Sequence, residues 1–235
     1  MRYKYQLSYI IVLLVSTLSW QHCAGPQIHE EGKNLYEQGK YGQAISVLKT
    51  KIEENPDNAM LRYYLGLAYL GKKDLTSALD AYHAAEKMSQ NTRMDSVFSA
   101  KMAEQAREFR MEKEYNAVET WTEHALQLDK RNRLARYEKN LSKGMQLYFQ
   151  GSKWELWDAI IAFGNASAIM PENPLPYYYS GKAYTKKDDK DFSNAIEQYE
   201  MALERNPPEK IKQDIKSELE ELNRRKNLYE DFWGN

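Results

Sequence analysis

An all-α fold of stacked helix pairs is what the sequence predicts, and three observations carry that expectation. The chain of 235 residues resembles itself at a period near 34 residues between 25 and 208, and such a period marks a solenoid built from one repeated supersecondary unit. Within each period, glycine and alanine recur at fixed offsets from tyrosine, phenylalanine and leucine, at spacings that put them on facing sides of two short helices. Pro56, Pro171 and Pro207 fall at the ends of three periods, where a residue lacking a backbone N–H ends the second helix.

Composition narrows the class further. Charged residues make up 29% of the chain and its mean hydropathy is -0.79, while seven prolines and eleven glycines are too few for a linker-rich or disordered protein. A net charge of -1 argues against nucleic acid as a partner, because phosphate recruits a basic surface. The single cysteine, Cys23, makes no internal disulfide and offers no metal-ligand spacing.

Residues 1–24 differ from the rest. Arg2 and Lys4 precede an uncharged apolar run over 7–20. This is the pattern of a signal peptide or an uncut N-terminal anchor, with a core short for a transmembrane helix. Cys23 follows where a bacterial lipoprotein carries its lipid-modified cysteine. The segment therefore resembles a lipobox, although Trp20 and His22 stand where leucine and a small residue are usual. Ordinary cleavage after Gly25 is opposed by Pro26. The expectation is an exported chain, periplasmic or attached to the membrane through a lipid on Cys23. Loss of Arg2 and Lys4 with the leader would leave a mildly acidic body.

The periods follow in order. In 25–58, Gly32 takes the small position, Gly39 and Tyr41 the turn, and Ala44 and Leu48 the second helix. The 59–92 unit is the most regular, with Leu65, Gly66 and Tyr69, then Ala78, Tyr82 and Ala85. A short insertion is read over 93–98. The 99–132 unit keeps Ala106, Phe109, Tyr115 and Ala125, but Val118 and Thr122 depart and Lys130 replaces the closing proline. In 137–173, Gly144 and Gly151 repeat the spacing of Gly32 and Gly39, and Ala159, Phe163 and Ala166 supply the second helix. Its turn, 152–158, reads as too long and holds Trp154 and Trp157. The 174–208 unit carries Gly181, Tyr184, Ala195, Tyr199 and Ala202, with a turn stretched over 186–191. Residues 209–235 read as one capping helix, with Ile211, Ile215, Leu219, Leu222, Tyr229 and Trp233 on one face, covering the open end of the stack.

Leucine-glycine and tyrosine on a first helix, then alanine, aromatic and alanine on a second closed by proline, is a pattern that resembles the tetratricopeptide repeat (TPR) family over 25–208. The resemblance implies about five helix-turn-helix repeats in a right-handed superhelix whose first helices line a concave, partner-binding face, with no cofactor. It places groove residues at Tyr36, at Tyr63, Leu67 and Leu70, at Arg107 and Arg110, at Tyr148 and Phe149, and at Tyr178 and Lys182. Packing between repeats is the alternative role for these tyrosines. An aromatic, mildly basic inner face suits an extended peptide or a helix of a protein partner. The family's carboxylate clamp is read as absent, since Lys33 is the wrong residue type at its clamp position and Tyr64 stands in place of asparagine.

No catalytic constellation accompanies this pattern. His22, His29, His83 and His124 are scattered over different units, and no metal-pair spacing or glycine-rich phosphate loop occurs. Asp188, Asp189 and Asp191 read as a solvated turn, being interrupted by lysine and lacking the length of a calcium loop. The expected role is a non-enzymatic adaptor or scaffold of a bacterial envelope, without catalytic residue, cofactor, metal or small-molecule substrate. A self-associating structural protein and an accessory subunit of an envelope enzyme remain as alternatives.

Overall fold

The computed structural model describes residues 28–89, 92–187 and 190–233. The expectations for 1–24, for Cys23, and for Asp188 and Asp189 lie outside the described residues. Eleven α-helices and no strand are found among the described residues, and the chain divides into two compact units, Met1–Gln90 and Asn91–Asn235.

The first unit holds α1 (Glu30–Glu37), α2 (Tyr41–Glu54), α3 (Ala59–Gly71) and α4 (Leu75–Met88). α1 packs on α2 and α3 on α4, while α3 also lies against α1 and α2. The helix starts follow from local chemistry. Asn58 Oδ1 accepts from the Met60 N–H at 3.0 Å, and Asp74 Oδ1 from the Ser77 N–H at 3.1 Å, so each satisfies an otherwise orphaned donor of a first turn. Ala44, Leu48, Leu61, Leu65 and Ala68 form the core between the pairs.

The second unit holds α5 (Thr92–Met111), α6 (Tyr115–Leu128), α7 (Arg133–Gln150), α8 (Lys153–Ile169), α9 (Pro174–Lys187), α10 (Phe192–Glu204) and α11 (Glu209–Trp233). α5 pairs with α6, α7 with α8 and α9 with α10. α7 also packs on α5 and α6, α9 on α8, and α11 on α10. Four pairs turn through a left-handed residue after the first helix, two residues past its end at Gly39 (φ 72°), Lys73 (φ 61°) and Lys113 (φ 65°) and directly after it at Gly151 (φ 80°). At the two lysines that conformation costs about 1–2 kcal/mol, which the packed helices on either side must offset.

Small residues mark the closest approach inside the pairs. A Cβ on Gly144 would lie 2.5 Å from the Phe163 ring, one on Gly181 2.8 Å from Tyr199, and one on Gly32 2.4 Å from Leu48. In each case a large side chain of the second helix lies flat on the bare backbone of the first. Phe163, Tyr199 and Leu48 are all fully buried.

Three departures from expectation concern boundaries. The 93–98 stretch is not an insertion between units but the first turns of α5, and Phe98 on it is fully buried. The 152–158 stretch is not a long turn. Gly151 ends α7, and Ser152 and Glu155 form a reciprocal capping box that starts α8 at Lys153, the Ser-x-x-Glu signature of a helix N-terminus. α7 begins at Arg133, capped by Asn132 Oδ1 on the Ala135 N–H at 3.0 Å, four residues before the expected start. The α6–α7 connection needs no closing proline. Ser99 Oγ donates to the Ala125 carbonyl at 2.7 Å and accepts from Asn132 Nδ2 at 2.8 Å, which fixes that reversal from α5. The single C-terminal helix is present as expected, but its apolar face is only partly covered. Ile215 and Leu222 are buried, whereas Tyr229 and Trp233 are 40% and 76% exposed.

Gly144→Ala should destabilise the protein by about 1–3 kcal/mol, because the added methyl has no space beside Phe163. Urea unfolding compared with wild type measures it. An unchanged midpoint would show that α7 and α8 separate freely and that the glycine contact is incidental.

Candidate partner-binding surface

Five aromatic rings form a ladder in the second unit, four on the first helices α7 and α9 and one, Tyr115, at the start of α6. Tyr115 stacks on Phe149 at 6.4 Å, Phe149 meets Tyr148 edge-on at 5.2 Å, Tyr148 meets Tyr179 at 6.1 Å, and Tyr179 meets Tyr178 at 5.0 Å. Ring pairs at such separations attract beyond their burial. Local sequence makes the ladder continuous. Tyr148–Phe149 and Tyr178–Tyr179 are adjacent pairs, so Tyr148 and Tyr179 meet between α7 and α9 while Phe149 reaches Tyr115 and Tyr178 reaches Asp214. Tyr179 is anchored by stacking on Phe163 at 5.7 Å. Phe149 is 49% exposed, and Tyr115, Tyr148, Tyr178 and Tyr179 are half-buried. Lys113 Nζ lies 5.4 Å from the Phe149 ring and Lys186 Nζ 5.0 Å from the Tyr148 ring. Tyr115 also walls a recess of about 280 Å³ between α6 and α7 with Glu119, Lys139, Ser142 and Lys143.

The end of the ladder is tied to α11. The Tyr178 hydroxyl donates to Asp214 Oδ2 at 2.6 Å, and Lys182 Nζ donates to the same oxygen at 3.0 Å and to Glu218 at 3.5 Å. Burial, then the hydrogen bond to Asp214, raises the Tyr178 pKa. Burial alone would pull the Lys182 ammonium down, but the bond to Asp214 and the surrounding negative charge outweigh it and raise the pKa. Asp214 is held below the ordinary carboxylate value, chiefly by the Tyr178 hydroxyl. Burial also raises the phenols of Tyr115, Tyr148 and Tyr179, so at neutral pH the ladder's four tyrosines remain uncharged hydrogen-bond donors.

The expected groove residues separate into two groups. Phe149, Tyr148, Tyr178 and Lys182 stand on or beside the ladder, and Arg107 is exposed on α5. Arg110 does not face a partner. It is 7% exposed, and its Nε donates to Glu138 Oε2 at 2.5 Å, with Glu138 itself 1% exposed. A guanidinium in that position serves a buried ion pair between α5 and α7 instead of the surface. In the first unit, Tyr63, Leu67 and Leu70 are 6%, 4% and 3% exposed, so they are packing residues and offer no groove. Burial pushes the Tyr63 phenol up to about 12. Tyr36 is half-buried beside Tyr41, ring centroids 5.9 Å apart. Tyr115 and Tyr179 belong to the ladder but were not among the expected residues. Tyr179 was legible only as one of three consecutive tyrosines, and helical spacing alone does not say which of them crosses to α7.

Among the described residues, no three His, Cys, Asp or Glu side chains come together as metal ligands. Among the same residues, no helix is long and apolar enough to cross a membrane.

The Asp214 contacts give α11 a pH dependence with a definite sign. A carboxyl whose pKa is depressed on folding contributes stability above its unfolded value, 3.8 for an ordinary aspartate, and loses it as pH falls through the lower folded value. An ammonium whose pKa is raised contributes below 10.5 and loses that contribution as pH rises further. The α9–α11 contact is therefore strongest between these limits. Asp214→Asn should flatten the acid limb of stability against pH and, because the Asp214 carboxylate helps to raise the Lys182 pKa, should also weaken the alkaline dependence above 10.5. Urea midpoints measured across the acid range test this, and a wild-type acid limb in Asp214→Asn would assign it to other carboxylates.

Comparison with known proteins bears on the first unit most directly. Residues 29–91 match the family model described as tetratricopeptide repeat, a segment that spans α1 to α4. No curated protein matches the chain. Among solved structures, similarity is found to YrrB, described as a TPR protein with an unusual peptide-binding site, at 16% identity and a TM-score of 0.49, covering 87% of this chain and 97% of that one. MamA is 19% identical with a TM-score of 0.47, covering 74% and 93%. PilW, described as a widely conserved type IV pilus biogenesis factor, is 13% identical with a TM-score of 0.44, covering 88% and 92%. The family match over the first two helix pairs, and the same glycine-centred pairing in the second unit, make the fold an all-α helical repeat of the tetratricopeptide type.

Proposed function

We propose that the protein is a non-enzymatic adaptor that holds a segment of a protein partner on the aromatic ladder of its second unit. The observation that carries this reading is the ladder itself. Phe149, Tyr148, Tyr178 and Tyr179 present ring surface in one continuous row, with Lys113 and Lys186 over the Phe149 and Tyr148 rings. Aromatic and arginine side chains carry most of the energy at protein interfaces, at about 2 kcal/mol or more for each well-placed anchor. The surface fits a helix or extended strand that brings apolar side chains to the rings and carboxylates to the lysines. Asp214 is the chain's own example of that pairing, because a helix-borne carboxylate is held there between a tyrosine hydroxyl and a lysine.

Tyr148→Ala/Phe149→Ala removes the exposed middle of the ladder and leaves Tyr179 on Phe163. In parallel pull-downs, partners held by wild type should be lost or weakened more than tenfold with the double variant. Equal capture by both proteins would remove the ladder as the binding surface.

The same reading places the adaptor in a bacterial envelope, exported by its leader and tethered through a lipid on Cys23. What supports this is the basic start at Arg2 and Lys4, the apolar run over 7–20, and the position of Cys23 after it. Acyl chains on one cysteine supply enough buried methylene surface for stable anchoring. Palmitate should label wild type and keep it with the membrane fraction, and Cys23→Ala should lose both label and membrane attachment. An unlabelled wild type would sink the tether.

A further inference from the structure

The outer face of α8 is apolar, unlike the outer faces of its neighbours. On α6 the exposed positions include Asn116, Glu119, Thr120, Glu123 and Gln127, and on α10 they include Ser193, Asn194, Glu197, Glu200 and Glu204. On α8, with its inner face already spent on Leu156, Ala159, Phe163 and Ala166, the exposed positions include Trp154, Trp157, Ile161, Gly164 and Ala168. Trp154 is 78%, Trp157 41% and Ile161 60% exposed. These five residues fall at successive spacings of three and four, which is one seam along a helix. The exposed Lys153, Asp158 and Asn165 flank this seam instead of interrupting it. The helix is also firmly made, since the Ser152–Glu155 capping box fixes its start and sets Trp154 in its first turn.

The order of residue sizes along the seam identifies what covers it. Bulk falls from one end to the other, from two tryptophans through isoleucine to a glycine whose open side has nothing within 4 Å, and then to alanine. A seam tapered in this way is complementary to itself when reversed. We propose that α8 packs antiparallel on α8 of a second copy of this chain, about a two-fold axis near Ile161. The tryptophan end of each helix then covers the Gly164–Ala168 end of the other. On the flank, the reversal sets the Asp158 carboxylate beside the Asn165 amide of the second copy, a hydrogen-bonding pair. A parallel pairing would instead set Asp158 against Asp158 and tryptophan against tryptophan. An isologous contact of this kind closes on itself as a dimer.

Area sets the strength. Trp154, Trp157 and Ile161 leave on the order of 400 Å² of apolar surface in water per chain. Two copies therefore contribute roughly 800 Å² from the seam, below the about 1,200 Å² at which standard specific interfaces begin. The dimer is thus concentration-dependent and weak, in about the micromolar range. Its contact lies on second helices, so the aromatic ladder on the first helices is not used in making it, and loss of one activity leaves the other testable.

The experiment uses the full chain with Cys23→Ser, so that an introduced cysteine is the only thiol. Sedimentation over increasing concentration should show a monomer–dimer equilibrium. Ile161→Glu, at an exposed site that leaves the melting temperature unchanged, should raise its dissociation constant about tenfold or more. With a short bis-maleimide, Ile161→Cys should cross-link to itself. Lys153→Cys should cross-link in a mixture with Ala168→Cys but not alone. A monomer at every concentration, an Ile161→Glu variant that dimerises like wild type, or Lys153→Cys cross-linking to itself would overturn the proposal.

Discussion

The constraint on which the rest of the structure depends is the missing side chain at the centre of the helix pair. Phe163 over Gly144, Tyr199 over Gly181 and Leu48 over Gly32 bring two helices to a separation that any Cβ would prevent. Once that contact is made, the other directions follow. The second helix has turned its large side chain inward, and the first helix has one flank committed to it. The first helix's remaining apolar residues must then meet the helices before and after it. In the second unit this is where Tyr148 and Tyr179 meet across α7 and α9, and where Arg110 meets Glu138 across α5 and α7. The binding ladder and the buried ion pair are therefore consequences of the same geometry. Both are made by side chains that reach sideways from first helices, and only their position along the helix decides whether they are covered.

The covering of Arg110 and the partial exposure of the ladder differ in energetic kind. A guanidinium taken out of water needs its carboxylate, and leaving either partner of such a pair alone costs about 3–5 kcal/mol. Arg110 and Glu138 thus fix how α5 and α7 meet more than they add to net stability. The tyrosines need less. The Tyr178 hydroxyl has Asp214 as its partner, whereas the Tyr115 hydroxyl is buried without one; being neutral, these half-covered rings can stay at a surface without unpaired charge. α11 closes one end of the ladder by the same means, offering Asp214 to Tyr178 and Lys182, while Phe149, stacked on Tyr115, stays half-exposed.

What the sequence could show about this arrangement depended on whether the signal was local. The helix pairs were legible because the glycine-to-aromatic spacing is local, and the C-terminal helix because its apolar period is long. The Ser152–Glu155 capping box was legible too, yet measured against the repeat's regular spacing the stretch read as an overlong turn. The 93–98 stretch misled because the family pattern begins at a fixed offset, while the apolar phase of α5 already runs through Phe98, Ser99 and Met102, all fully buried. Groove membership was legible only in part, because it depends on partners far away in the chain. Arg110 reads as surface until Glu138, 28 residues later, is placed beside it. Tyr63, Leu67 and Leu70 read as a groove, and packing claims them. Among Tyr177, Tyr178 and Tyr179, Tyr177 is 7% exposed, with Arg205 over its ring at 4.0 Å, while the other two join the ladder. No single-sequence rule separates those two fates.

The departures from a regular repeat are also where the molecule carries its distinctive surfaces. A regular unit spends its apolar residues on neighbouring helices and leaves charge outside, as α6 and α10 do. Such a unit stacks but offers nothing particular to bind. The second unit keeps the pairing with substituted devices. Ser99 does the work of a closing proline at the α6–α7 reversal, and Gly151 with Ser152 turns the chain in two residues. Because the fold is held by those substitutes, residues elsewhere in the unit are released from the pattern. Phe149 at the end of α7 and Trp154 and Ile161 on α8 then sit in water at 49%, 78% and 60% exposure. Phe149 recovers part of its burial through Tyr115 and Tyr148, and the rest of this apolar surface can be removed from water only by association, with the ladder serving one kind of contact and the outer seam of α8 another.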